Sequence, residues 1–407
     1  MDRRSIAVIG GGAAGFFGAI AAAENRSHPR VALYEAGSEC LAKVRISGGG
    51  RCNVTHHCFE PAQLVQQYPR GSKALRGPFS RFQPRDTIDW YRRRGVMLKT
   101  EADGRMFPTT DSSATVVDCL TTAAQRAGVV IHTRSPIKAV ERSSRGFRLI
   151  FKTGQTECDR ILLATGSSPQ GHRLAQGLGH HIEPPVPSLF TFTVKDKALH
   201  QRSGLAVSQA TITLKLPGQK KALSQTGPLL ITHWGLSGPA VLKLSAWGAR
   251  LLSQSSYRAT ATINWLPALT SDDLRSELLA TRSAFPKRAA VNQNPTALPK
   301  RLWSYFLQRA GIEPQAPWTS LSNKALNRLT QELLQGEYAI AGKGAFKEEF
   351  VTCGGVRLRE VDFKTMESRL CPGLFFAGEV LDIDGITGGF NFQSAWTTAW
   401  LAGQAMA

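Results

Sequence analysis

The chain has 407 residues, 42% of them hydrophobic and 20% charged, which excludes a disordered or low-complexity protein and favours a soluble globular chain of two or three domains over a single core. Lys plus Arg number 50 against 30 Asp plus Glu, so the formal net charge is +20 and the pI is near 10.1. That field suits polyanions such as nucleic acid, the ribosome or an anionic membrane surface, although a bias towards basic surfaces alone produces the same count.

The stretch IAVIGGGAAGFFGAIAAA follows two arginines, but its regularly placed glycines and lack of apolar bulk argue against a membrane span or signal peptide. Seven cysteines at 40, 52, 58, 119, 158, 353 and 371 form an odd set without framework spacing, which points to reduced thiols and a cytoplasmic protein.

At the N-terminus SIAVIG predicts a buried strand, GGAAGFFGAIAAAEN a glycine-led helix and RVALYE a second strand ending in an acid. This is a dinucleotide fingerprint with Gly10, Gly12 and Gly15 in the G-x-G-x-x-G positions, Ala14 in the same binding turn and Glu35 twenty residues beyond Gly15. Gly10 permits the tight turn, Gly12 lets the backbone approach a pyrophosphate and Gly15 lets helix and strand pack closely. Glu35 is placed to accept from ribose hydroxyls.

A second glycine-rich stretch, ISGGGRCNVTHH, follows at residues 46–57. It holds a C-x3-H-H-C cluster of Cys52, His56, His57 and Cys58, an arrangement with zinc-ligand chemistry. Adjacent histidines rarely face one metal and no second Cys pair echoes the spacing, so no metal is assigned. Further on, YPRGSKALRGPFSRFQPRDTIDWYRRRG interleaves Arg70, Lys73, Arg76, Arg81, Arg85, Arg92, Arg93 and Arg94 with Phe79, Phe82, Trp90 and Tyr91. Basic groups neutralise phosphates while aromatic faces stack bases, a combination suited to RNA. The competing reading is a solvated helix with Phe82 and Trp90 in the core.

The middle of the chain changes character. PSLFTFTV, VSQATITLKL, GPLLITHW and YRATATINWLP predict short strands of a small β-domain, and DDLRSELLATRSAF, LPKRLWSYFLQRAG and SNKALNRLTQELLQ predict amphipathic helices. EYAIAGKGAFKEEFVTCGGV then leads back to the first domain. Near the C-terminus the strand GLFFA precedes Gly378 and Glu379, and a Gly388-Gly389 turn opens the helix NFQSAWTTAWLAG. An acid at that strand end can bind ribityl hydroxyls, and the positive end of the helix can face the flavin N1 and C2 carbonyl. Both chain ends then meet on one FAD.

VIGGGAAG, ISGGGRCN, GRMFPTTDSSATVVDCL, THWGLSGPA, VTCGGV and DFKTMESRLCPGLFFAGEVLDIDGITGGFNFQSAW together resemble the BaiN/RdsA, or YhiN-like, family of NAD(P)/FAD-dependent oxidoreductases over nearly the whole chain. The chain departs from that pattern in its compact ATGSSPQGHRLAQGLGH segment. The resemblance implies an α/β fold, with a Rossmann-like FAD-binding domain of the two-dinucleotide-fold flavoprotein type and an inserted β-barrel and small helical domain. Expected boundaries are 1–190 for the first part of the FAD domain, 191–265 for the barrel, 266–335 for the helices and 336–407 for the C-terminal part. It implies that the second loop lies along FAD: Gly48, Gly49 and Gly50 bring the backbone close, Ser47, Arg51 and Asn53 supply polar contacts and Lys43 a basic group. Ile137 is implied to meet the adenine, Thr165 and Gly166 the pyrophosphate, and Asp382, Asn391 and Phe392 the flavin.

Hydride transfer from reduced FAD needs a matching proton, for which Cys353, Cys52 and His233 are the candidate acids, each with a structural role as its alternative. Ser237 lacks the last glycine of a G-x-S-x-G elbow, which removes a hydrolase reading. Three classes remain. Relatives imply reduction of uridine to dihydrouridine in 23S ribosomal RNA, or reduction of a small unsaturated metabolite, with NAD(P)H as transient reductant; the third is a non-catalytic flavin-bound RNA or ribosome-binding protein.

Overall fold

The apolar run at the N-terminus becomes the central strand of a parallel sheet. In this computed structural model, which describes residues 3–216, 222–344 and 351–407, the chain divides into two units: Met1–Val186 with Val351–Ala407, and Pro187–Phe350. Part of the returning segment, residues 345–350, lies outside the described residues.

In the first unit the elements that matter are β1 (Ser5–Ile9), α1 (Ala13–Ala23), β2 (Arg30–Tyr34), α2 (Ala42–Gly50), α3 (Ser72–Arg81), α4 (Pro84–Arg92), β3 (Val130–His132), β4 (Arg160–Leu163), α5 (Pro169–Gly177), β5 (Leu374–Phe376) and α6 (Phe390–Met406). The strands lie in the order β5, β4, β1, β2, β3, all parallel, and two short antiparallel strands, Val361–Asp362 and Glu367–Ser368, extend the β5 edge. Ile6, Ala7, Val8 and Ile9 are all buried. Side chains pointing to both faces of the sheet are therefore covered, as a continuous apolar strand requires.

Small residues bring α1 and α6 close together over this sheet. A Cβ on Gly18 would lie 2.4 Å from Leu162 Cδ2, and one on Gly403 would lie 2.6 Å from Ala21 Cβ. The polar residues of α6 tie it to the segment after α2. Gln393 Oε1 accepts from Thr55 Oγ1 at 2.6 Å and from Thr87 Oγ1 at 3.0 Å, and Trp396 Nε1 donates to Val54 O at 2.9 Å. All these groups are buried, so each hydrogen bond removes a desolvation penalty as well as adding an attraction.

The basic and aromatic stretch folds as α3 and α4 with its aromatic residues turned inward. Phe79, Phe82 and Tyr91 are buried, and half-buried Trp90 packs on Phe17 with ring centroids 4.6 Å apart. These rings fill the core, which corrects the base-stacking reading: the apolar stripe of the amphipathic helix packs on Phe17 of α1 and on Trp396 and Trp400 of α6. Several of the arginines are also engaged. Arg70 pairs through Nε and Nη2, a single guanidinium edge, with fully buried Asp384, Arg92 with Asp89, and Arg94 with Glu24 while lying 3.9 Å from the Trp90 ring centre.

The second unit is built around a closed barrel. Its strands run Phe192–Val194, Gly235–Ser237, Leu223–Thr232, Ala206–Lys215, Ala259–Asn264 and Gly336–Lys343, and the last pairs with the first. The last strand was expected in the flavin domain; it closes the barrel instead, because Tyr338 and Ile340 are its inward alternate residues and both are buried. The helices Ser271–Ala284, Lys300–Arg309 and Asn323–Gln335 bury Trp265, Trp303 and Trp318 with the barrel.

Candidate cofactor site

The turn after β1 shows which fingerprint glycines are structural and which leave room. Gly10 has φ +108, and a Cβ there would sit 2.5 Å from Ala164 O; on Gly15 it would sit 1.8 Å from Gly10 O. Both positions therefore exclude a side chain. At Gly12 a Cβ would meet nothing within 4 Å. Gly12 is the N-cap of α1 and no side chain caps it, so the first-turn amides keep their donors and the positive helix end available to an anion.

Glu35, at the end of β2, is pinned beside this turn. Its Oε2 accepts from Gly11 N and its Oε1 from Gly37 N, each at 2.7 Å. Each carboxylate oxygen retains a second lone pair for a hydroxyl.

The second loop is a left-handed interruption at the end of α2. Gly48, Gly49 and Gly50 have φ of +58, +69 and +81, and Cys52 follows at +60. Gly48 is packed, since its Cβ would approach Asn53 N to 3.0 Å, whereas Gly49 and Gly50 border open space. Ser47 Oγ donates to Val44 O at 2.9 Å. Arg51 is held by Glu101 at 2.6 Å and Asp111 at 3.4 Å and lies 4.0 Å over the Phe107 ring. With its amide oriented to satisfy its neighbours, Asn53 donates to Thr55 O at 3.0 Å and accepts from Gly389 N at 3.0 Å. This bond joins the second loop to the start of α6.

The C-terminal strand brings in the remaining groups. Gly378 has φ +73 and a Cβ there would lie 2.8 Å from Ala14 Cβ, so the two ends of the chain touch. Glu379 Oε2 pairs with Lys43 Nζ at 3.0 Å and Oε1 accepts from Thr352 N at 2.8 Å. Gly166, at φ +58, has room for a Cβ 3.6 Å from the same Glu379 Oε2. Ile137 is buried and its carbonyl accepts from Gln170 Nε2 at 3.2 Å. Asp382 is buried and its amide donates to Val356 O at 3.1 Å. Asn391 clamps Gly385 through both its amide groups, at 2.8 and 2.9 Å, and Phe392 stacks on Trp396 with ring centroids 5.5 Å apart.

The residues weighed as zinc ligands each have other neighbours. Cys52 is buried against Ser47, His56 Nδ1 is 2.9 Å from Gly388 O with its ring stacked on Phe390, and the His57 ring packs against Phe59. Of the candidate acids, Cys52 is fully buried, and that burial pushes its thiol up to about 12, with a hydrogen bond from Ser47 opposing. Such a thiol holds its proton. Cys353 is buried on the strand Val351–Val356. His233 is exposed in the turn between the barrel strands Leu223–Thr232 and Gly235–Ser237.

Open space at Gly12, Gly49 and Gly50 accompanies the uncapped end of α1, and Thr165 Oγ1, packed against Gly171, is a buried polar atom with no hydrogen-bond partner. A dinucleotide needs backbone approach, a positive helix end and hydroxyl contacts, and these residues fit one.

The HI0933-like protein Rossmann domain matches residues 4–405. The chain belongs to this family. It is 32% identical to a ribosomal RNA dihydrouridine synthase of Escherichia coli K12, over 99% of this chain and 98% of the relative. It is 29% identical to a 3-dehydro-bile acid delta(4,6)-reductase of Clostridium scindens, over 99% of this chain and 98% of that protein. Among solved structures, a 3-ketosteroid-delta4-(5alpha)-dehydrogenase of Rhodococcus jostii RHA1 shares the fold, with a TM-score of 0.51, 14% identity and coverage of 99% of this chain and 97% of that one. The family member described here is an FAD-dependent oxidoreductase with a Rossmann-type FAD-binding fold. Among the described residues no helix is long and apolar enough to cross a membrane.

Reading the sequence alone missed several groups that build this site. Thr352 reaches Glu379 through its backbone, which leaves no side-chain signal. His56 was weighed only as a metal ligand, yet it supports Gly388. His172, on α5, is buried with Nε2 lacking a partner, and burial holds its imidazole below the usual range while Glu379 acts in the opposite direction. The compact ATGSSPQGH segment was the available signal for His172.

Proposed function

We propose that this protein reduces uridine to dihydrouridine in the large-subunit, 23S ribosomal RNA, fed by NAD(P)H in the cytoplasm. The observation that carries the reading is the end-to-end 32% identity to a relative named for that activity, and the net charge of +20 supports an RNA substrate. When bound, FAD would supply the hydride that the pyrimidine takes at C6, with the matching proton taken at C5.

The chain's own contribution is placement. Gly12, Gly49 and Gly50 admit the cofactor backbone, the α1 end and Lys43 face its negative charge, Glu35 and Glu379 offer polar partners to its hydroxyls, and Thr165 and Gly166 pack beside its pyrophosphate. Ile137 lines the adenine side, and Asp382, Asn391 and Phe392 lie on the flavin side. His233 is the favoured proton donor, since an exposed imidazole can recharge from solvent whereas the buried Cys52 thiol cannot release its proton readily.

Mass spectrometry of ribosomal RNA from a deletion strain and its parent tests the reading. Loss of one dihydrouridine, restored by the wild-type gene, supports it; unchanged RNA ends it. The second reading, reduction of a small unsaturated metabolite, is favoured by the equally full-length match to the bile acid reductase, and it requires turnover without RNA. Binding of RNA with no electron transfer from the flavin would instead indicate a non-catalytic factor.

A further inference from the structure

The arginines that looked most suited to RNA from the sequence are partly tied to acids in the first unit, but a second basic group on the insertion is not. In the second unit the short helix Lys197–His200 and its following turn lie against the helix Lys300–Arg309. Arg202 bridges them, donating to Ala198 O at 3.1 Å, Gln201 Oε1 at 2.9 Å, Gln308 Oε1 at 3.3 Å and Arg301 O at 3.4 Å. Arg301 donates back to Gln201 O at 2.7 Å, and Lys300 reaches Asn292 Oδ1 at 2.9 Å. Every acceptor is neutral.

The nearby carboxylates are turned to another partner. Asp196 accepts from Leu199 N at 2.9 Å, Tyr305 OH at 2.8 Å and Arg309 Nη1 at 3.3 Å, and Glu332 accepts from Arg309 Nε at 2.6 Å. Among the described residues Lys197, Arg202, Lys300 and Arg301 form no ion pair, and Lys197, Lys300 and Arg301 are exposed. Neutral acceptors fix the guanidinium planes without cancelling their charge: Arg202 commits four of its five N–H groups and contributes charge and support, while Arg301, bonded only through Nη2 to Gln201 O, keeps a fork for phosphate oxygens. Gln201 and Gln308 are exposed beside them and can meet sugar hydroxyls.

We infer that this face, formed by Lys197, Arg202, Lys300 and Arg301, docks the phosphate backbone of the RNA substrate. The inference rests on the RNA reading given above and assigns its anchoring surface to the insertion.

The test compares the flavin-loaded wild type with Arg202→Ala/Arg301→Ala and with Lys197→Glu/Lys300→Glu, the second pair giving up only the exposed Lys300 bond to Asn292. Binding of a labelled large-subunit ribosomal RNA fragment is titrated between about 50 and 200 mM salt. Each pair is expected to weaken binding about tenfold or more, and the alanine pair to lower the slope of log affinity against log salt by roughly 1.4 to 1.8, with the flavin spectrum unchanged. Unchanged affinity and slope in the charge-reversed pair overturn the surface. The RNA reading is judged separately: if the deletion strain loses a dihydrouridine and both variants restore it fully while binding normally, the substrate stands and the surface falls. If ribosomal RNA is unchanged by deletion, the reading falls, and the binding titration alone decides whether this face takes RNA.

Discussion

Gly378 and Ala14 meet so closely that a Cβ on the glycine would lie 2.8 Å from the Ala14 Cβ. The contact locks the end of β5 onto the first turn of α1, so the N-terminal fingerprint and the C-terminal acid Glu379 are positioned by one packing event. Gly378→Ala adds that clash to a φ of +73 that a side chain resists. Thermal unfolding of the variant should show a loss of about 1–3 kcal/mol, accompanied by a lower FAD-to-protein ratio in the visible spectrum. Wild-type stability and full flavin content would show that the two chain ends can separate without consequence.

Thr165 offers a sharper separation of cofactor binding from fold. Its Oγ1 is buried with no partner in the protein, so Thr165→Val removes a desolvation cost and keeps the shape. The apoprotein should be as stable as wild type or more stable by up to about 1 kcal/mol. FAD affinity measured by fluorescence quenching should fall, by about three- to tenfold, the worth of one hydrogen bond. Equal FAD affinity would remove Thr165 from the site.

Acid sensitivity should trace in part to Glu360. This buried carboxylate accepts from His181 N at 3.0 Å and His181 Nδ1 at 2.7 Å and lies 3.2 Å from His180 Nδ1. Burial alone would raise it, but the bonds from His181 and the charges of His181 and His180 outweigh that and hold it below the usual carboxylate range. A carboxylate lowered on folding stabilises the native state above its unfolded value, near about 4.3, and that contribution disappears as pH falls through the folded value. Glu360→Gln should therefore lower Tm at neutral pH, and the gap to wild type should close in strong acid. A constant gap across the pH range would assign the effect to packing.

The proton donor is tested by two substitutions with opposite expectations. His233→Ala lies on an exposed turn, so stability should stay within about 0.5 kcal/mol of wild type, while turnover drops about 10²–10⁴-fold. Cys52→Ala, at a fully buried position whose thiol is pushed up to about 12, should cost stability and leave turnover per bound flavin within about threefold. The reverse pattern of rate effects would make Cys52 the donor and His233 a surface residue.

Consecutive residues determined a good deal of this protein. The spacing of Gly10, Gly12 and Gly15 announces the turn, and Gly15 acts locally on Gly10 O, although the atom that excludes a side chain at Gly10 is the distant Ala164 O; the periodicity of Lys300–Arg309 or Asn323–Gln335 marks helices for a local reason. The last block likewise announced a strand, an acid and a glycine turn before a helix. What a side chain faces was decided only by the tertiary structure. Arg70 belongs to Asp384, Phe82 and Trp90 to the α1–α6 packing, and Gly336–Lys343 to the barrel, because each partner lies far along the chain. A run of arginines and aromatics has the same composition whether it meets RNA or its own core. Burial and counter-charge distinguish the two, and both arise only when distant segments pack.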